Sequence, residues 1–183
     1  TLTRHADLVR LDVAGRLRLW LQVADAVAYA HRHAIVHRDL KPGNVLVDGA
    51  GQARLLDFGI AKFLDPDGVA SDTAAVFTAR YASPEQVAGE PATTATDVHG
   101  LGLLLYELLC GRPAFRAASD LALRQAIATS DPPALCATLA QAGADEAAAV
   151  ATARHASLAQ LRRQLGGDLE AIVAEARQRL GLA

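Results

Sequence analysis

One helix that must be buried on every side constrains this chain more than any other feature. It begins near Thr96 or Asp97, either of which can cap it, and it ends near Cys110. Gly111 suits the C-terminal end, and Pro113 prevents continuation. Because the segment is apolar nearly all round, it predicts the buried centre of a helical domain. Its apolar run is about half the ~20 residues that cross a bilayer, so we expect no membrane span in this sequence.

A second long helix is predicted ahead of the first, capped by Asp12 and running to about His33. Arg16 is expected to fall away from its apolar face. That face is predicted from three- and four-residue spacing and comprises Val13, Leu17, Trp20, Leu21, Ala24, Val27 and Ala28. Further helices are expected at three places: 120–129, the alanine-rich stretch 145–165, and a last helix capped by Asp168 and ending near Arg179.

Between the two long helices the pattern changes to a short hairpin. Residues 45–47 and 54–56 are typical of strands, and 48–51 has the chemistry of a turn. The predicted fold class is therefore mainly α with a small β-hairpin.

Composition narrows the class of protein further. The 183 residues are enough for one domain, and 51% are hydrophobic, so a core is expected. The net charge of −2 and the aromatic content of 4% argue against a nucleic-acid binder. Cys110 and Cys136 form no metal-like pair and are expected to be reduced thiols in a cytosolic domain.

Three oxygen-bearing side chains are expected to meet where the hairpin closes. Asp39 and Asn44 bracket a tight loop, and Asp57 follows the returning strand. The outer ends of a hairpin are neighbours, so Asn44 and Asp57 should lie close together. Magnesium prefers oxygen ligands of this kind. Lys41 adds a cation, and phosphoryl transfer depends mainly on positioning and charge stabilisation.

These residues belong to ordered motifs that resemble those of the protein kinases. His-Arg-Asp-Leu-Lys-Pro-Gly-Asn occupies 37–44, Asp-Phe-Gly occupies 57–59, and Ser-Pro-Glu occupies 83–85. The chain is similar to eukaryotic-type serine/threonine protein kinases in their bacterial form. The match is strong over 12–115 and weak over 116–183. It implies that 1–183 is a partial kinase domain with the fold of the C-terminal lobe.

The resemblance implies a role for each residue of the loop and hairpin. Asp39 would be the catalytic base that accepts the substrate hydroxyl proton. Lys41 would touch the γ-phosphate of ATP, and its presence favours serine/threonine specificity. Asn44 and Asp57 would hold Mg²⁺, and Leu46 would lie under the adenine ring. The implied cofactors are ATP and Mg²⁺, and the implied substrates are proteins with Ser or Thr hydroxyls.

Supporting roles follow from the same resemblance. His37 and Phe58 would pack in the buried spine that aligns the site. Thr78 would hydrogen-bond near the base and the lysine, and Asp97 would anchor the backbone of the catalytic loop. Glu85 usually pairs with an arginine in a later helix, which is not recognisable in this sequence.

The sequence departs from the family pattern in several places. It has no glycine-rich phosphate loop, no Val-Ala-Ile-Lys strand and no matching helix glutamate, which the family places before the position of Thr1. It also has no methionine. We therefore expect a piece of a longer polypeptide whose N-terminal lobe is its partner, with little activity alone. A cytoplasmic location is expected, with a membrane anchor elsewhere in a longer chain left open. Ser83 stands for the usual alanine and Phe77 for the usual glycine.

Regulation by phosphorylation is a further expectation. Arg38 before the catalytic aspartate resembles kinases that are switched on by a phosphate in the following loop. Thr73 is the first candidate and Ser71 the second. By contrast, His31 and His33 are expected to be surface residues at a helix end.

Two other functions compete with the kinase interpretation. A non-catalytic, pseudokinase-type interaction module would use the helical lobe to hold partners, but the motif residues Asp39, Lys41, Asn44 and Asp57 are all intact. A small-molecule kinase of the aminoglycoside phosphotransferase type generally lacks the Ser-Pro-Glu motif. Glu107, inside the apolar helix, is expected to be a hydrogen-bonded structural group rather than a catalyst.

Overall fold

The computed structural model describes residues 1–57 and 79–178, and helices dominate them. In chain order they are α1 (Leu2–Leu8), α2 (Val13–Arg32), a 3-10 turn (Pro42–Asn44), β1 (Val45–Val47), β2 (Ala53–Leu55), α3 (Pro84–Val87), α4 (Thr94–Cys110), α5 (Asp120–Thr129), α6 (Leu135–Gln141), α7 (Ala144–Thr152), α8 (Leu158–Leu165) and α9 (Asp168–Gln178). The predicted class, mainly α with a small hairpin, is confirmed.

Helix α4 is the centre of the domain, as its composition predicts. Leu104, Leu108 and Leu109 are fully buried, and α2 and α9 pack against the helix. It ends at Gly111, whose φ of 75° gives the left-handed cap that glycine adopts easily. The predicted cap at 96 or 97 is wrong by three or four residues, because Thr93 caps the helix in a reciprocal pair of hydrogen bonds with Thr96.

Helix α2 has the predicted bounds and cap, but its buried face differs from the prediction. Asp12 accepts a 2.7 Å hydrogen bond from the Gly15 amide. Leu21, predicted to face the core, is 52% exposed. Arg16, predicted to face away, is 1% exposed. Its guanidinium donates to the carbonyls of residues 6, 11, 108 and 153 and pairs with Asp7, so each of its three nitrogens has a hydrogen-bond partner.

The hairpin is antiparallel and pairs Val45 with Leu55. Its second strand lies one residue earlier than predicted, at Ala53–Leu55. The reason is the turn, in which the Asp48 carboxylate accepts hydrogen bonds from the amides of Ala50 and Gln52.

The C-terminal part is more divided than its composition predicts. The single helix expected over 145–165 is two helices, α7 and α8, with a new cap at Ser157. Helix α6 was not predicted, and its first amides donate to the Glu170 carboxylate. The helices expected at 120–129 and near Asp168 are present, but Asp168 is the first residue of α9 rather than its cap, and Arg179 lies outside the described residues.

Two further expectations concern the whole chain. Cys110 and Cys136 are both free thiols, as expected. None of the helices within 1–57 and 79–178 has both the length and the apolar character needed to span a membrane.

Candidate active site

The loop between α2 and β1 is anchored by one buried carboxylate of α4. Asp97, which is 1% exposed, accepts 2.8 Å hydrogen bonds from the backbone amides of His37 and Arg38. Hydrogen bonds to a charged acceptor are stronger than neutral ones. The anchoring contact that the resemblance implies for Asp97 is therefore present.

His31 shares this carboxylate, which corrects the expectation that it is a surface residue. Its Nε2 lies 2.8 Å from Asp97 Oδ2, and its side chain is 19% exposed. The contact forms because the last turn of α2 faces the first turn of α4. Helix periodicity could not predict it, because it depends on how the two helices pack. His33, two residues later, is exposed as expected.

The loop between α2 and β1, residues 33–44, is called the catalytic loop after the role that the resemblance implies. It approaches helix α4 too closely for a side chain at one position of the helix. A Cβ atom built on Gly100 would lie 2.9 Å from the Cβ atom of Leu40, which real Cβ contacts essentially never show. Glycine at this position lets the loop lie directly on the helix.

Two of the predicted site residues, Lys41 and Asn44, contact a third, Asp39. Lys41 Nζ lies 2.7 Å from Asp39 Oδ2. The Asn44 amide nitrogen donates to the same oxygen at 3.0 Å and to the Asp39 carbonyl at 2.8 Å. The side chains of Asp39 and Lys41 are 17% and 24% exposed, so the carboxylate is held in place while part of it remains open to a substrate.

The hairpin places the residue before Asp57 next to Asn44. The Leu56 amide donates to the Asn44 carbonyl at 2.8 Å, so the residue before Asp57 is bonded directly to Asn44. His37 Nε2 also lies 2.8 Å from the Leu56 carbonyl oxygen and ties the loop to the end of β2. Asp57 follows with a left-handed φ of 46° and is exposed.

The oxygen donors fit a hard cation better than a soft one. Because the Asn44 side chain uses its nitrogen for both of its hydrogen bonds to Asp39, its amide oxygen is the atom suited to a metal ligand. In the part of the chain that the structure describes, no three His, Cys, Asp or Glu side chains cluster as a metal site. A cation here would rely on one amide, one carboxylate, waters and the phosphates of a bound nucleotide, which is the mixture magnesium accepts.

Leu46 lies on β1 between two more buried neighbours. Val45 is fully buried, whereas Leu46 is 43% exposed. An exposed apolar side chain beside the catalytic loop is compatible with a position under an adenine ring, the role that the resemblance implies.

The segment that begins at Ala79 contacts the catalytic loop through α3. Ser83 is fully buried and caps α3 in a reciprocal pair with Gln86. Glu85, whose usual arginine partner is not recognisable in this sequence, accepts a 2.6 Å hydrogen bond from the Thr96 hydroxyl of α4. The Gln86 side chain donates to the Arg38 carbonyl at 2.8 Å.

Glu107 is a hydrogen-bonded structural group, as expected. It accepts a hydrogen bond from the Tyr81 hydroxyl. Burial raises the pKa of the Glu107 carboxyl, and the hydrogen bond from Tyr81 opposes that rise. Burial likewise raises the pKa of the Tyr81 phenol, and the nearby Glu107 charge adds to the effect.

Several predicted residues fall outside the described part of the chain. These are Phe58, Ser71, Thr73, Phe77 and Thr78. Conversely, sequence reasoning missed the contacts of His31 and Gln86. Gln86 stands three residues after Ser83, and this capping-box spacing was the one local indication of its position.

Comparison with known proteins agrees with this geometry. The family model for the protein kinase domain matches residues 7–156, well over half of the chain. A helical domain built on α4, with an anchored loop that carries Asp39, Lys41 and Asn44, is the C-terminal lobe of a kinase-type fold. The chain belongs to the protein kinase domain family.

The curated relatives are bacterial serine/threonine protein kinases. The chain is 47% identical over 106 residues to serine/threonine-protein kinase PkaA of Streptomyces coelicolor, covering 56% of this chain and 20% of that protein. It is 38% identical over 132 residues to PknB of Mycolicibacterium smegmatis, covering 69% and 21%. With PrkC of Bacillus subtilis it shares 41% identity over 99 residues, covering 54% and 15%. The aligned part is thus about a fifth of each relative's length or less. Protein kinases as a family use ATP and a divalent metal ion.

Proposed function

We propose that this chain is the catalytic-loop lobe of a serine/threonine protein kinase that transfers the γ-phosphate of ATP to protein hydroxyls. The observation that carries the proposal is the cluster of Asp39, Lys41 and Asn44, in a loop whose preceding two amides donate to Asp97 of the central helix. Family membership and bacterial serine/threonine kinase relatives support the same activity.

Asp39 is the proposed general base. Its carboxylate accepts a hydrogen bond from Asn44 and pairs with Lys41, so it is oriented before a substrate arrives. A Ser or Thr hydroxyl of the substrate would donate its proton to the part of this carboxylate that remains exposed. Phosphoryl transfer involves little covalent chemistry by the protein, so this orientation is the main contribution of the loop.

Lys41 and the two metal ligands supply positive charge. Lys41 would neutralise charge on the transferred phosphoryl group, and its compact ammonium can move from Asp39 to a phosphate oxygen. The Asn44 amide oxygen and the Asp57 carboxylate would hold Mg²⁺, which neutralises phosphate charge when bound. Leu46 would offer an apolar surface to adenine. A location in the cytoplasm is proposed because ATP and reduced thiols occur together there.

The test is γ-phosphate transfer from radiolabelled ATP to protein serine and threonine, measured on the longest natural polypeptide that contains this chain. We expect Asp39→Asn to reduce transfer by about 10²- to 10⁴-fold, the range for loss of a general base. Asp145→Asn, on the exposed first turn of α7, is the matched carboxylate control and should leave transfer unchanged. Equal activity of Asp39→Asn and wild type would refute the role of the base.

The 183-residue chain alone should transfer little phosphate, because it contains no glycine-rich loop or strand lysine to complete the ATP site. Turnover comparable to an intact kinase would contradict this expectation. Nucleotide binding without any transfer in the longest natural form would instead favour the non-catalytic interaction module.

A further inference from the structure

Gln86 bridges two parts of the molecule that are distant in sequence. It is the third residue of α3, and its side-chain oxygen accepts a 3.1 Å hydrogen bond from the Ser83 amide. Its side-chain nitrogen donates at 2.8 Å to the carbonyl of Arg38, 48 residues earlier. A backbone amide can only donate and a carbonyl can only accept, so these two partners fix which way the amide points.

Only one of these two contacts belongs to ordinary helix capping. A capping box needs an acceptor at the third position, and glutamate serves there as well as glutamine. The bond to Arg38 needs a donor, which glutamate does not have at neutral pH. Glutamine at position 86 therefore satisfies a requirement that the cap of α3 does not impose.

The carbonyl that accepts the hydrogen bond from Gln86 belongs to a residue with an unfavourable backbone conformation. Arg38 has a φ of 71°, in the left-handed region that residues with side chains rarely adopt. Its amide donates to Asp97 of α4 at 2.8 Å, and its carbonyl accepts from Gln86 of α3. Helices α3 and α4 thus hold the two peptide groups of one strained residue, and the next residue is Asp39.

We propose that Gln86 is a positioning residue, which, together with Asp97, fixes the left-handed turn at Arg38 and so sets the orientation of Asp39. This inference deepens the proposed function and rests on it for the role of Asp39. Because Ser83 caps α3 and Pro84 and Glu85 are its first two residues, Gln86 also ties the Ser-Pro-Glu motif to the catalytic loop.

Two substitutions separate the loop contact from the cap. Gln86→Glu retains an acceptor for the Ser83 amide, places a favourable charge in the first turn of α3, and removes the donor to Arg38. Ser83→Ala removes the hydroxyl that accepts from the Gln86 amide at 3.4 Å and leaves the Gln86 side chain in place. The first variant should disturb the loop and spare the helix, and the second should do the reverse.

The measurement is amide hydrogen exchange on the 183-residue chain without ligand, followed in peptides that cover 36–41 and 84–90. In Gln86→Glu we expect exchange of the His37 and Arg38 amides to rise about five- to tenfold, the factor for one lost hydrogen bond, with α3 unchanged or slower. In Ser83→Ala we expect faster exchange in α3 and a change below about twofold in the loop. Unchanged loop exchange in Gln86→Glu, or equal loop exchange in both variants, would overturn the proposal.

A measurement on the wild type keeps the inference testable if Gln86→Glu does not fold. The side-chain amide protons of Gln86 should show nuclear Overhauser contacts to the backbone protons of Arg38 and Asp39. Their absence in an assigned spectrum would also overturn the proposal. Neither readout uses phosphoryl transfer, so failure of the proposed kinase activity and failure of this inference remain distinguishable.

Discussion

Helix α4 has buried charged side chains near both of its ends, and the charges are opposite in sign: the Asp97 carboxylate near the start and two arginines at the finish. At the N-terminal end the Asp97 carboxylate accepts hydrogen bonds from the backbone amides of the catalytic loop. At the C-terminal end two buried arginines, Arg16 and Arg154, donate to the Leu108 carbonyl. Arg154 donates to the Leu109 carbonyl as well.

Helix electrostatics explain this division. The last four carbonyls of a helix lack partners within it, and when they are buried they need donors from elsewhere. The partial charges of the helix ends favour an anion at the start and cations at the finish. The two ends therefore differ in what their charged side chains stabilise. The carboxylate near the start of α4 binds the loop of the candidate active site, whereas the arginines at the finish bind the end of α4 to other parts of the domain.

The largest effect is expected at the C-terminal end. Arg154→Met should lower the free energy of unfolding by about 3 kcal/mol, because buried carbonyls lose their donors. Urea unfolding followed by circular dichroism measures this change. Arg124→Met, which breaks a surface pair with Asp120, is the control and should lower stability by less than about 0.5 kcal/mol. Similar losses in the two variants would mean that the buried arginine does not hold α4.

A smaller loss of stability, but a larger loss of function, is expected at the N-terminal end. Asp97→Asn should lower the free energy of unfolding by about 2 kcal/mol, because an amide offers one acceptor oxygen where the carboxylate serves His37 and Arg38 with two. Urea unfolding of the chain gives the first number. Transfer by the longest natural polypeptide should fall with Asp97→Asn and be unaffected by Arg124→Met. If Asp97→Asn retained phosphate transfer, the N-terminal end of α4 would not have the functional role that distinguishes it from the C-terminal end.

The smallest effect is a pH dependence at the C-terminal end, where Cys110 is the last residue of α4. Burial raises the pKa of its thiol to about 12 from 9.0. Because the pKa is higher in the folded state, this contribution to stability is complete below pH 9 and is lost as the pH rises towards 12. Between pH 8 and 10 we expect a loss of about 1.4 kcal/mol that is absent in Cys110→Ala.

Urea unfolding at the two pH values checks this prediction, and Cys136→Ala, at a half-exposed thiol, is the control that should keep the dependence. A Cys110→Ala protein with the same pH dependence as wild type would show that the thiol ionises as easily in the folded state as in the unfolded one.

The predictions from sequence succeeded where the information is local. The caps and bounds of α2, the glycine at the end of α4 and the hairpin all follow from residues within a few positions of each other. The loop motif placed Asp39, Lys41 and Asn44 together because only four residues lie between the first and the last of them. Local chemistry fixes such features before any long-range contact forms.

The predictions failed where the burial of a side chain depends on which other parts of the chain pack against its helix. Arg16 and Leu21 have the periodicity of opposite faces, yet the arginine is buried and the leucine is exposed. Hydrophobicity gives no indication of this exchange, because the arginine is buried by hydrogen bonds to carbonyls from four separate places in the chain. The prediction for the alanine-rich stretch failed where the chain leaves α7: Arg154 there donates to the carbonyls of Leu108 and Leu109, and Ser157 begins a new helix.

The sequence by itself determined the family, the helical class and the order of the catalytic-loop residues, since each of these is written in short motifs and in residue spacing. Only the tertiary structure decided that His31 and Asp97 share a hydrogen bond, that two arginines occupy the end of α4, and that Gln86 holds the residue before Asp39. The physical reason is that a buried polar group must find its partner wherever the fold brings one, and that partner is not encoded near it in the chain.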